Sequence, residues 1–328
     1  MLAYYAVPVR RGTATSFAGL LLVSAGGGCL PDDTRPEPAS LELAVRSADT
    51  SSEGFVTDDG WQIELDELLA AIGTVRIEGG GCNPYNTAWY TRVFDFARPL
   101  DEPSKLALLY GVGDCSLRFR LRSPQDDSIL SAGVSQAAVD AMRVEEADLW
   151  SPSGERVTLR VRGRARKDDR EMSFAWDFRA RYDVRTCYDA DGGRTPTEVD
   201  LQSGAALERI VDIDATALFR IPRSLPVQGE NEDPYPTDPA AGVPVRFDMF
   251  ARADGGLTYH GTLGPEDGEI TLAELWSLDA DTGEPIDGEW HPGDAGDAPR
   301  SLGTALYLQM APAIVRLEGG PCFSTIDD

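Results

Sequence analysis

Histidine is almost missing from this 328-residue chain, which holds only His260 and His291. No C-x-x-C pair occurs among its five cysteines, and no G-x-S-x-G, H-E-x-x-H or P-loop pattern occurs anywhere. These gaps remove the usual signatures of zinc centres, dithiol redox sites, serine hydrolases and phosphate-binding loops. No apolar run is long enough to cross a bilayer as a helix. Basic residues are also short, with 30 Lys and Arg against 55 Asp and Glu, a formal charge of −25. The deficit is uneven: from Cys187 onward 27 acidic residues face 8 basic ones, whereas the preceding residues hold 28 and 22. An acidic back half repels nucleic acid and suits cations or a basic partner surface.

What is present begins with an address. Arg10 and Arg11 precede the apolar run Phe17–Ala25, and Gly26-Gly27-Gly28-Cys29 follows. A charged segment, a short apolar segment and small residues before a cysteine resemble a bacterial lipoprotein signal peptide. In that pattern Gly26 stands where Leu is usual. The resemblance implies cleavage after residue 28 and lipid attachment at Cys29, hence a membrane partner through the anchor. Leu30 after the cysteine implies the outer membrane. Residues 29–39, rich in Pro, Asp and Glu, read as a flexible tether.

Four cysteines in an exported chain read as two disulfides. Three pairings are open for Cys82, Cys115, Cys187 and Cys322. Cys82–Cys115 with Cys187–Cys322 is favoured, because the first closes a short loop between adjacent strands. The second ties the chain end to its middle.

From residue 40 to 187 the pattern is period-two alternation. Leu41, Leu43 and Val45 alternate with polar or small residues, as do Trp61, Ile63 and Leu65. Ile72–Ile77 reads as a strand that stops at Gly79-Gly80-Gly81. Leu117, Phe119 and Leu121 oppose Arg118, Arg120 and Arg122, while Val157, Leu159 and Val161 oppose Arg160 and Arg162. Met172, Phe174, Trp176 and Phe178 form a last apolar file, and Ser135 caps a short helix through Met142. Such strands predict a mainly β chain with an antiparallel β-sandwich front domain over 40–187. The arginine files suit an acidic neighbour or a polyanion. Trp61, Trp89 and Trp150 are candidates for a sugar platform, with core packing as the simpler reading.

Two resemblances attach to these residues. Thr57-Asp58-Asp59-Gly60-Trp61, then Leu108-Leu109-Tyr110-Gly111 before Cys115, behind the opening Cys29–Pro36, resemble uncharacterised exported bacterial lipoproteins. That likeness implies location and fold without an activity. A looser likeness to prealbumin-like or immunoglobulin-like sandwiches covers the front half only. Some of those relatives bind copper, but both histidines lie in the back half.

Residues 188–328 read as an acidic mixed α/β region. Ile210–Ile213 is a strand, Thr216–Phe219 a helical turn, and 228–242 a Pro- and acid-rich loop. Val243–Ala253 fits either a strand or a helix. Asp267-Gly268-Glu269-Ile270-Thr271-Leu272-Ala273-Glu274 resembles the second half of an EF-hand calcium loop. That likeness implies oxygen ligands from Asp267, the Glu269 carbonyl, Thr271 and Glu274, with Asp254 completing the set across an insertion. Thr271-x-x-Glu274 is equally a capping box, and Asp267-Gly268 a turn. Asp279, Asp281 and Asp287 form a second acidic group. Leu302–Leu317 reads as a packing helix bent at Pro312.

The expectation is therefore a non-catalytic cell-envelope lipoprotein that binds an unidentified protein or glycan, with a structural calcium site. An envelope glycan hydrolase and a metal-free structural lipoprotein are the alternatives. No motif selects a carboxylate pair for the first of these, and His260, near Tyr259 and Asp254, reads as polar loop surface rather than a general base.

Overall fold

The computed structural model describes residues 36–100, 102–146, 155–188, 197–221, 243–258, 262–286 and 301–327. The strands are β1 (Ala39–Ser47), β2 (Phe55–Val56), β3 (Gln62–Pro84), β4 (Ala88–Asp95), β5 (Ser104–Leu121), β6 (Ile129–Leu130), β7 (Leu159–Lys167) and β8 (Arg170–Phe178). They continue with β9 (Arg181–Cys187), β10 (Glu198–Leu201), β11 (Ala206–Ile213), β12 (Arg220–Ile221), β13 (Val243–Pro244), β14 (Glu269–Thr271), β15 (Val315–Leu317) and β16 (Gly320–Asp327). The α-helical turns are α1 (Asp49–Ser52), α2 (Gln136–Met142), α3 (Phe247–Ala251) and α4 (Leu302–Ala305).

Alternation builds the strands as expected. Along β7, Leu159, Val161 and Ala165 are buried and the arginines between them are not. Ser135 Oγ accepts the Ala138 N–H at 3.1 Å and starts α2.

The strands do not separate into two opposed layers. Fourteen of them form one sheet, in which β1 pairs in parallel with β11 and also antiparallel with β5. The path β1–β11–β15–β16–β9–β5 thereby returns to β1 as a closed six-stranded barrel. This replaces the sandwich expected from the alternation. Closure removes the sheet edges that a sandwich would leave at β1 and β5. Inside the ring lie Leu41, Leu43, Val45, Leu117, Phe119, Leu121, Tyr182, Val184, Val211 and Ile213, all buried. From β5 the sheet continues outward as β3–β7–β8–β14.

Residues 40–187 and 188–328 share this sheet. The β1–β11, β10–β5 and β16–β9 ladders all cross the expected boundary, and Pro36–Asp328 forms one compact unit. Residues 1–35, with the signal segment, most of the tether and Cys29, lie outside the described residues.

Two expected boundaries move. β3 does not stop at its glycines; it runs 23 residues with register shifts at Leu65/Glu67, Gly73/Arg76 and Glu78/Gly81. Gly79, at φ 139°, supplies a conformation that side-chain-bearing residues avoid, so the strand bends there instead of ending. The C-terminal helix is broken as well. α4 passes into a π turn at Leu306–Met310 and a 3-10 turn at Pro312–Ile314, and Val315–Leu317 is a strand of the ring. Pro312 has no N–H to donate, which ends the helical ladder.

The disulfides join Cys82 to Cys115 and Cys187 to Cys322, the pairing favoured from spacing. Cys187 and Cys322 are direct partners on β9 and β16. The shorter Cys82–Cys115 loop stabilises by about 2–4 kcal/mol and the longer Cys187–Cys322 loop by somewhat more, mainly by restricting the unfolded chain.

Candidate functional site

The acidic loop is drawn together, but around amide groups. Asp254 follows α3, and its carboxylate accepts the N–H of Asp267 at 3.2 Å and of Gly268 at 3.2 and 3.3 Å. Asp267 Oδ1 accepts the Glu269 N–H at 3.0 Å, closing the turn in which Gly268 has φ 80°. Glu269 itself is exposed and starts β14, which pairs in parallel with Ser173–Ala175 of β8.

Glu274 is fully buried. Its Oε2 accepts the Thr271 N–H at 2.8 Å and the Thr271 hydroxyl at 2.7 Å, while Oε1 accepts the Gly255 N–H at 3.2 Å. The backbone bond from Thr271 is one half of a capping box, leading into a 3-10 turn at Glu274–Ser277. Gly264 lies so close that a Cβ there would sit 2.1 Å from Oε1. A buried carboxylate needs such donors, and three provide them here. The arrangement ties the Gly255 and Thr271 segments to one side chain, with Gly264 packed against it. The amide protons of Asp267, Gly268, Thr271 and Gly255 point at the oxygens that a cation would use. Among the described residues no three His, Cys, Asp or Glu side chains converge as metal ligands. In the second acidic group, Asp279 Oδ1 accepts the N–H groups of Asp281 and Thr282 at 3.0 and 2.9 Å. Asp287, His260 and His291 lie outside the described residues.

The stretch Thr57–Trp61 is a clasp on α3. Gly60, at φ 87°, closes the turn through its N–H to the Thr57 carbonyl at 2.9 Å. Thr57 Oγ1 donates to Asp59 Oδ1 at 2.6 Å, and Asp59 Oδ2 accepts the Asp248 N–H at 2.9 Å. Asp59 so caps a helix start that lacks a side-chain cap of its own. Trp61 is fully buried, and its Nε1–H donates to Asp248 Oδ1 at 2.9 Å. That bond holds the Asp248 carboxyl below its ordinary range, helped by Lys167 at 3.4 Å and Arg170 at 3.9 Å, while burial works the other way. The Arg170 guanidinium lies 5.0 Å from the Trp61 ring centre. Beside the clasp is a cavity of about 70 Å³ lined by Phe55, Asp58, Phe219, Arg220 and Val245 among others. It is well below the size of an ordinary small-molecule pocket.

The three tryptophans do not make one platform. Trp61 is core, Trp89 is 68% exposed, and Trp150 lies outside the described residues. Exposed tyrosines stand nearby in the chain: Tyr85 precedes Trp89 and Tyr90 follows it, and Tyr85 donates its N–H to the Tyr110 carbonyl at 2.8 Å. Tryptophan alone drew the sequence reading, and the tyrosines beside Trp89 carried no periodic signal.

The β7 arginines face carboxylates on both neighbouring strands. Arg162 meets Asp177 at 2.9 Å, Arg164 meets Asp66 at 2.8 Å, and Arg166 meets Glu171 at 3.1 Å. Arg160 lies 3.4 Å from Glu67 and 3.5 Å from Asp177. Burial raises the Glu67 pKa, and the charges of Asp95 and Asp177 push the same way against the pull of Arg160 and Arg162. No family model, no curated protein and no solved structure matches the chain.

Proposed function

We propose that the chain is an exported, disulfide-pinned binding module of the cell envelope, held at the outer membrane through a lipid on Cys29. The observation that carries this reading is the cysteine chemistry. Every cysteine after Cys29 is consumed in a bridge between paired strands of the sheet. Such bridges persist in oxidising compartments and are rare where glutathione keeps thiols reduced. The segment before Cys29 has the charge, the apolar run and the small residues of an export signal. A closed barrel braced in this way is a rigid support for surface contacts.

The test is mass spectrometry of the native chain, with thiol alkylation before and after reduction. A mature chain starting at an acylated Cys29, with no alkylation at the other four cysteines before reduction, is expected. Four free thiols in the native chain would overturn the export reading, and an unacylated Cys29 would overturn the anchor. Calcium is tested apart from this. The amide contacts of Asp254 and Glu274 support a turn and a cap, so millimolar calcium should leave the melting temperature unchanged. A rise would restore the cation, because a ligand bound only by the native state must stabilise it.

A further inference from the structure

We propose that the outer face of β3, β5 and β9 docks a linear acidic polysaccharide. Arg118 and Arg120 lie two positions apart on β5 with Arg122 just past its end, Arg76 lies on neighbouring β3, and Arg181 and Arg185 lie on β9 to either side of Asp183. Alternate residues are about 7 Å apart along a strand and neighbouring strands about 4.8 Å apart, so the guanidiniums form a lattice. Arg76 stands directly opposite Arg118 in the β3–β5 register. Their Nε atoms share the single carboxylate of Glu78, at 2.9 and 2.8 Å. Asp183, 1% exposed, is shared between Arg120 at 3.5 Å and Arg185 at 2.8 Å. Arg181 is 3.6 Å from Glu155. Arg122 has no carboxylate within 4 Å among the described residues; its Nη1 donates to the Thr74 hydroxyl at 3.0 Å. Burial, then the charges of Arg181 and Arg120, hold the Arg122 pKa below its ordinary value.

Among the described residues the ion pairs of these six guanidiniums reach three carboxylates, Glu78, Asp183 and Glu155, on a chain that is otherwise strongly acidic. The carboxylates choose among polyanions. A duplex nucleic acid presents closely spaced phosphates, which Glu78 and Asp183 would repel. An acidic polysaccharide offers carboxylates or sulfates to the guanidiniums together with a hydroxyl donor for Glu78, the accessible one of the two carboxylates. A narrow chain also touches the basic face without bringing a broad anionic plane against the acidic remainder. The face ends where Asp114, Glu198 and Asp200 follow on β5 and β10.

This proposal rests on the reading of the chain as a binding module, not on its anchor. The test measures binding of the full chain to polygalacturonate by calorimetry, at low and at physiological salt. Affinity should fall as salt rises, and Arg122→Gln/Arg181→Gln should weaken it about tenfold. Arg164→Gln/Arg166→Gln on the compensated β7 face should leave it within about twofold. If the first pair fails to fold, Arg185→Gln, which leaves Asp183 with Arg120, replaces it with the same direction expected. No binding at low salt, or equal losses in both pairs, overturns the proposal. So does arginine-dependent binding to phosphatidylglycerol vesicles without binding to polygalacturonate. These outcomes bear on the partner alone, because the thiol and N-terminal measurements decide the export reading separately.

Discussion

The β7 and β5 faces look alike along the chain and differ in what lies across from them. Both strands put arginine at alternate positions over a buried apolar file. On β7, register supplies an acid to each arginine. Arg160 pairs with Asp177, Arg162 with Glu67, Arg164 with Glu64 and Arg166 with Glu171. On β5, register sets Arg118 against Arg76, and a carboxylate has to be shared. Opposite charges across a ladder stabilise and like charges destabilise by similar amounts, roughly 0.2–1 kcal/mol per pair. Pairing partners, rather than the composition of one strand, therefore decide whether a charged face is closed upon itself or left with attraction to spare.

The largest way to break the comparison is to release β9, which carries Arg181, Asp183 and Arg185. Replacing Cys187 and Cys322 by Ala opens a link spanning 135 residues. A loop of that size costs about 4–5 kcal/mol in the chain-entropy account. Urea unfolding should show that loss. Hydrogen exchange should accelerate along β9 and β16 more than along β7 and β8. Next comes Asp183→Asn. Asp183 is nearly fully buried and serves two arginines, so losing its charge should cost about 2–3 kcal/mol. The matching change on the β7 side, Asp177→Asn, should cost about 1 kcal/mol. Asp177 is 27% exposed, and Arg160 keeps Glu67. Equal losses in thermal or urea unfolding would erase the distinction between the faces.

Much of this was legible in the chain, and the limit has a physical cause. Alternation tells which side of a strand is buried, so the apolar files of β5, β7 and β8 and the Ser135 cap were readable directly. It does not tell which strand lies alongside. β1 and β11 are separated by more than 160 residues, as Ser40 meeting Ala206 shows, and their parallel pairing closes the ring. No local pattern announces that closure, so a sandwich was the natural expectation. The glycines at 79–81 read as a stop because glycine marks both ends and bulges, and only the β5 partner separates the two. At the candidate site, Thr271-x-x-Glu274 was readable both as a cap and as a calcium half-loop. The contact that engages the second carboxylate oxygen, Gly255 N–H on Glu274 Oε1, comes from 19 residues away. The Thr57–Trp61 motif was visible too, but its partner Asp248 lies 187 residues from Trp61.

Two carboxyls away from the β5 face should respond to pH in opposite senses. Glu67 has a folded pKa above its ordinary 4.5, chiefly through burial. Between those two values the folded chain binds more protons than the unfolded one, so stability falls as pH rises through that window. Glu67→Gln should remove this slope in urea unfolding measured across acid pH. Asp248 works in the opposite sense. Its folded pKa lies below the ordinary 3.8, so its contribution is present above that value and is lost as pH falls through the folded one. Trp61→Phe removes the largest cause of that depression and should weaken the acid-side loss.

The smallest expected effect is the sharpest in sign. Arg122 sits near the like charges of Arg181 and Arg120, with Asp127 as a weaker opposing charge, and its side chain donates to the Thr74 hydroxyl. Arg122→Gln keeps a donor for that hydroxyl and removes one of the crowded charges, so it should stabilise by about 0.3–0.5 kcal/mol at low salt. Arg162→Gln removes a charge that meets Asp177 at 2.9 Å, so it should destabilise by a similar amount. Both differences should shrink in molar salt, where screening extends only about 3 Å. Melting temperatures of the two variants at low and high salt give four numbers. Opposite signs that converge with salt mean that the β5 face carries repulsion which an anion would relieve. The same sign in both variants would mean that packing of the arginine stems, not charge, governs the two faces.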